Sequence, residues 1–246
     1  MPPTDLSRLR LPGWAIPTGP RAQSVPLHRI AVQTAWWRRE IHGRGLPGQP
    51  PDRPALTRQE VWRHSADLHR GDTVFTLLWH ALAWGSGSHL RQNARRLDSI
   101  AANPDRARDL LRAAAALAPA DPVRAYTVLR PLRTEIAYLG PSFFTKFLYF
   151  AGGGAADHPC LILDRVVAAA LRRECGWASL NPTGSWPARS YARYCGLLAR
   201  WAGEHGVAAD EIELRLFAGP SAEVVGRGDQ GLEHADVGHR MAGLRE

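Results

Sequence analysis

The 246-residue chain contains no apolar run of about eighteen residues, so no membrane-spanning helix is expected. Its opening, MPPTDLSRLRLPGW, lacks the apolar centre of a secretion signal, and the reading is a soluble, cytoplasmic protein. Cysteine is scarce: Cys160, Cys175 and Cys195 are odd in number and widely spaced, with no CxxC pair. That excludes a zinc ribbon and an iron–sulfur cluster by pattern. The ten histidines form no HExxH, and neither a metal nor an organic cofactor is expected. Alternation of period two is missing over any useful length, which points to an all-α fold. Lysine is nearly absent: of 31 Lys and Arg residues, Lys146 alone is a lysine.

What is present is arginine, apolar helix and aromatic. The net charge of +8 and pI near 10.2 favour a polyanionic partner such as nucleic acid, and the arginines are spread through helical segments rather than gathered into a basic arm. A hydrophobic content of 45% is enough for one core or for two small helical lobes sharing a cleft.

Punctuation by Pro, Gly and capping residues divides the chain. Residues 1–54 form a Pro/Gly-rich arm whose Trp14, Trp36 and Trp37 would pack onto the core, with a possible helix over Leu27–Ile41. Residues 55–218 read as a helical domain, and 219–246 as a disordered polar tail. Within the domain, Thr57 and Glu60 make a capping box opening a helix to about 69. Asp72 should cap the apolar VFTLLWHALAW, which breaks at Gly85-Ser86-Gly87. Helices are expected over Ser88–Ala101, Pro104–Leu117 and Pro122–Leu129. Two short ones should meet at Gly140-Pro141, followed by Asp164–Glu174, Pro187–His205 and Ala209–Phe217.

Lys146 lies in FFTKFLYF, the most aromatic stretch of the chain. Arginine stays protonated, whereas a lysine desolvated among aromatics loses its proton more readily and becomes an amine nucleophile. Two plainer readings fit the same residue: a chance survivor in an arginine-rich composition, or a lysine reaching past an apolar face to solvent. Asp164, likewise, is explained by helix capping alone. A capping carboxylate is also rigid and ionised, which suits a group that stabilises positive charge.

The segment Leu139–Phe150, the Gly-rich loop after it and Leu161–Arg173 resemble the hairpin, catalytic lysine and catalytic aspartate of helix-hairpin-helix DNA glycosylases, nearest the 8-oxoguanine branch. Thr145-Lys146 and Asp164 hold the two positions, Asp164 standing 18 positions after Lys146. The stretch FTLLWHALAWGSGSHLRQNARRL is similar to the family's helix–turn–helix with a strand-probing turn.

The resemblance implies double-stranded DNA with a damaged base as partner, a monomer, Lys146 and Asp164 as catalytic residues, and no cofactor. It implies DNA contacts from Gly140, Ser142, Thr145, Ser86, Gly87, His89 and Arg91. Aromatic walls for the flipped base would come from Phe143, Phe144, Phe147, Trp79 and Trp84, with Tyr149 and Trp186 also in reach. The chain departs from the family in lacking the second hairpin glycine and any evident N-terminal β-domain, so it looks like a compact, divergent bacterial form. A helical DNA-binding protein without catalysis, a protein-docking module using Pro187–His205, and an enzyme forming a Schiff base with a small carbonyl compound are the other readings.

Overall fold

The computed structural model describes residues 4–220. The fold is all-α: ten α-helices among the described residues, with one two-stranded antiparallel ribbon, β1 (Arg29–Ala31) and β2 (Ala55–Thr57), paired Arg29↔Thr57 to Ala31↔Ala55. Residues 221–246 lie outside the described residues, and with them almost all of the expected tail.

The helices begin where local chemistry satisfies their free amides. Thr57 accepts from the Glu60 amide while the Glu60 carboxylate takes the Thr57 amide, starting α2 (Arg58–Trp62). Asn103 and Asp121 cap α5 (Pro104–Leu117) and α6 (Pro122–Leu129), each with proline in the first turn, where a missing N–H costs nothing. Pro141 opens α7 (Pro141–Phe150) in the same way, and Asp164 caps α8 (Arg165–Arg173) through the Val166 and Val167 amides. The remaining helices are α1 (Thr34–Gly43), α3 (Thr73–Ser86), α4 (Asn93–Ala101), α9 (Ala188–His205) and α10 (Ala209–Ala218).

Five expectations need correction. The helix after Thr57 ends at Trp62 rather than near 69, because His64–Gly71 is a chain of turns with Asp67 in the left-handed region. The helix expected from Ser88 starts only at Asn93, after Gln92 adopts a positive φ of 66°. Residues 131–140 form no helix: bends bury Ile136 and Leu139 and lead directly into α7. Leu27–Ile41 is split into β1 and α1, since the backbone of 29–31 is claimed by a strand distant in sequence. Asp72 stands at the start of α3 but caps no amide; its carboxylate pairs with Arg108 at 3.1 Å.

One apolar core runs through all these elements. α3 is buried on nearly every side and lies against α7, while α6 bridges α5, α7 and α9. The N-terminal segment is bound to that core by more than tryptophan. Trp37 is buried beneath α1, and Arg193, Arg200 and Arg215 reach from α9 and α10 to the carbonyls of Thr4, Leu6, Leu9 and Trp14. Several arginines that composition would assign to a surface are thus spent on backbone carbonyls.

Candidate active site

α7 and the start of α8 carry the chemistry. A single bridge aligns them: buried Thr145 donates from Oγ1 to the Pro141 carbonyl at 2.7 Å, and the same oxygen accepts the Leu163 amide at 3.2 Å. That fixes the residue before Asp164 against the residue before Lys146. Lys146 Nζ then lies 2.9 Å from Asp164 Oδ2 and donates to the Ser142 carbonyl at 2.9 Å. The two side chains are only 6% and 12% exposed, which makes this a desolvated ion pair rather than a surface one.

The Asp164 carboxylate accepts three hydrogen bonds. Oδ1 takes the Val166 and Val167 amides at 3.0 and 3.1 Å, and Oδ2 takes the lysine. Burial alone would raise its carboxyl. The Lys146 charge and hydrogen bond, with the two amides, outweigh that and hold it below the usual carboxylate range. Nearby, burial, then the charges of Arg58 and Lys146, push His28 down to about 3, so its imidazole stays neutral; it meets Trp84 edge-on at 5.1 Å.

Behind α7 lies a second polar group. Arg58, wholly buried, donates to Glu213 Oε2 at 2.7 Å and to the Tyr149 hydroxyl at 3.0 Å; Tyr149 in turn donates to Asp210 at 3.0 Å, which also holds Arg21. Burial raises Glu213 to about 7 against the pull of Arg58.

The expected DNA contacts divide. Gly140 is the half-buried N-cap of α7, and Ser142 offers its carbonyl to the lysine. Thr145 has no exposed surface: its hydroxyl is consumed by the bridge, so it is a positioning residue and not a DNA contact. Ser86 is also buried, accepting from the Asn93 side chain at 2.9 Å, and belongs to the packing of the α3–α4 turn. Gly87 ends α3 with φ 56°, while His89 and Arg91 are exposed on the turn that follows.

The aromatic walls need a larger correction. Trp79, Phe144 and Phe147 have no exposure and Trp84 has almost none. Trp79 stacks on Phe75 and donates to the Pro47 carbonyl at 2.8 Å; Phe144 meets Tyr126 at 4.7 Å; Trp84 meets Phe150 at 5.3 Å. Tyr149 is taken up by the Arg58 group and Trp186 by Asn181 and Tyr126. These rings are core. Phe143 alone of the five is half-exposed, with the Arg96 guanidinium 3.6 Å above its centroid.

Two further residues shape the site. Gly85 in α3 faces the lysine: a β-carbon there would stand 2.5 Å from Lys146 Cδ and 3.0 Å from Cε. Arg96 is buried without a carboxylate; it donates to the Tyr138 carbonyl at 2.7 Å and to Asn93, and burial lowers it to about 10. A glycine inside an apolar helical stretch signals close approach, and was available in the sequence. Nothing in the pattern around Arg96 distinguishes it from its exposed neighbour Arg95.

No curated protein and no solved structure matches the chain in a search of either kind. A family model does, described as "Putative 8-oxoguanine DNA glycosylase OGG-like protein", over residues 23–217. That span takes in β1, both sides of the lysine–aspartate pair and all but the last residue of α10. With most of its length matched, the chain belongs to the 8-oxoguanine DNA glycosylase OGG-like family.

Proposed function

We propose that this protein excises an oxidised purine, 8-oxoguanine foremost, from double-stranded DNA, with Lys146 as nucleophile and Asp164 as the carboxylate that stabilises charge on the sugar. The observation that carries this reading is the burial of the chain's single lysine against an ionised, helix-capping aspartate at 2.9 Å. A helical protein with no need of that pair would gain little from it, since a buried ion pair barely repays its desolvation.

In this reading the damaged nucleotide leaves the stack and approaches the Lys146–Asp164 pair, with Phe143 beside it. Residues 130–140 and the start of α7 act as the hairpin that holds the backbone; His89 and Arg91 meet the duplex from the α3–α4 turn. As the bond from C1′ to the purine nitrogen breaks, Asp164 opposes the positive charge that builds on the sugar. The Nζ lone pair closes on C1′. The purine departs with the bonding electrons and takes up the proton that the ammonium gives up. Opening of the sugar ring yields a Schiff base, and loss of a C2′ proton with departure of the 3′ phosphate then nicks the strand. The protein works as a monomer in the cytoplasm.

Reductive trapping tests this. With a duplex holding 8-oxoguanine opposite cytosine, borohydride should reduce the Schiff base to a stable covalent adduct. Lys146→Gln should abolish the adduct while leaving DNA binding intact. An adduct that persists in Lys146→Gln would overturn the assignment. Binding without adduct or base release on any lesion would leave a DNA-binding protein of the same family.

A further inference from the structure

The loop leading into α7 spends free energy on an aromatic that the core does not use. Tyr138 has φ 63°, in the left-handed region that a residue with a β-carbon avoids, and it is the one aromatic with such a backbone among the described residues. The loop is not free to relax. Ile136 and Leu139 on either side of Tyr138 are buried, the Glu135 amide bonds the Leu129 carbonyl at 3.0 Å, and buried Arg96 grips the Tyr138 carbonyl. Arg96 is itself pinned by the Phe143 ring and Asn93. The backbone is thus forced, and the ring it carries is 52% exposed.

That ring borders a shallow open depression lined by Arg95, Asp98, Ser99, Ala102, Ala137 and Tyr138. The Arg95 guanidinium lies over the Tyr138 ring, 5.6 Å from its centroid, and covers part of one face. A half-exposed aromatic ring with a cation over part of it, opening on a space flanked by a carboxylate and a hydroxyl, matches a flat heteroaromatic bearing a nearby phosphate. Bases within a duplex have their faces covered by neighbours, so such a seat selects bases that are not. The charge of +8 favours the polyanion that carries them.

We propose that Tyr138 and Arg95 form a stacking seat for an unpaired nucleobase of DNA, apart from the Lys146 site. The base stacks on the part of the Tyr138 ring that Arg95 leaves exposed, its phosphate meets Arg95, and Ser99 with the free side of Asp98 lines its polar edge; the other Asp98 oxygen already holds Arg44 at 2.7 Å. This rests on the DNA-binding half of the proposed function and not on its chemistry.

The strained backbone supplies a clean test. Tyr138→Gly removes the ring and places at φ 63° the residue that adopts it without penalty, so the fold is kept and the unfolding temperature should stay level or rise. Fluorescence anisotropy is measured with a single-stranded pyrimidine oligonucleotide and with one of the same length and phosphate count built from tetrahydrofuran abasic units, which lack the aldehyde that Lys146 would capture. The wild-type protein should prefer the base-bearing strand by about tenfold. Tyr138→Phe should keep that preference, Tyr138→Gly should lose it, and Arg95→Gln should weaken binding of both strands. Equal preference in wild type and Tyr138→Gly overturns the seat. If the preference disappears as expected while no lesion duplex gives a borohydride adduct, the seat stands and the lysine chemistry fails. If adducts form but the preference is unmoved by Tyr138→Gly, the reverse holds. Failure to bind either strand overturns the seat outright.

Discussion

Replacing Gly85 with alanine should separate stability from catalysis. The new β-carbon would stand 2.5 Å from Lys146 Cδ, 3.0 Å from Cε and 3.8 Å from Phe143 Cδ1. Carbon atoms rest at about 3.5–4.0 Å, so the first contact is short by about an ångström. The backbone of α3 is buried on nearly every side and cannot retreat, whereas the lysine stem is four rotatable bonds long. The stem therefore yields. In energy, alanine gains about 1 kcal/mol of helix propensity over glycine, which a side chain pushed off its rotamer by about 0.5–1.5 kcal/mol largely cancels. The unfolding midpoint should move by no more than about 4 °C. Nζ, however, leaves its position between the Ser142 carbonyl and Asp164, and a misplacement of about 1 Å lowers rate on the order of 100-fold. Single-turnover excision and borohydride trapping, read beside urea denaturation, measure both effects. Excision within about threefold of wild type would refute the claim that α3 sets the lysine's place. A stability loss well beyond 3 kcal/mol would show that the helix packing, not the lysine, absorbs the clash.

Thr145→Val keeps the shape of the α7 bridge but strands the buried Leu163 amide, and urea denaturation should show a loss of about 1–3 kcal/mol together with slower excision as Asp164 drifts. Arg58→Met leaves Glu213 without its partner and should cost about 3–5 kcal/mol at neutral pH, with a smaller loss near pH 5, where Glu213 is protonated. Glu213 rises from its ordinary 4.5 to about 7 on folding, so the folded state binds its proton more tightly and stability should fall as pH climbs through that interval; Glu213→Gln should flatten this limb of the pH–stability curve. Asp164 is lowered instead, so its contribution is present above the ordinary carboxylate range and lost in acid. Asp164→Asn, which still caps α8, should remove that acid-side loss while slowing base release.

The features that could be read from the chain alone were those decided within one turn of backbone. The prolines at 104, 122 and 141, the Thr57–Glu60 box and the Asp164 cap each act over two or three residues, and each appears in the fold where it was expected. The lysine was singled out by its rarity and the aspartate by the resemblance to the glycosylase hairpin, and the fold brings them to hydrogen-bonding distance. What needed the third dimension was hidden by symmetry of composition. Trp79 and Phe144 are as aromatic as any pocket wall, and only packing shows that their faces are covered. Thr145 beside a lysine reads as a DNA contact until its hydroxyl is seen spanning to Leu163. β1 and β2 pair across a long loop, three residues each, too short for alternation to declare itself. The break at Gly85-Ser86-Gly87 was legible, since α3 ends at Ser86 with Gly87 as its cap, but not that Gly85 in its last turn faces the lysine.

The lone ε-amine of this chain, sunk between a carbonyl and a carboxylate, makes the protein its own chemical reporter. Apart from the α-amino group, an amine-selective acylating reagent has a single target anywhere in the sequence. Slow labelling of the folded protein against fast labelling in denaturant would record how often Lys146 is uncovered. Protection or exposure on adding lesion DNA would then follow occupancy at that one atom, with no engineered tag and no second lysine to confuse the signal.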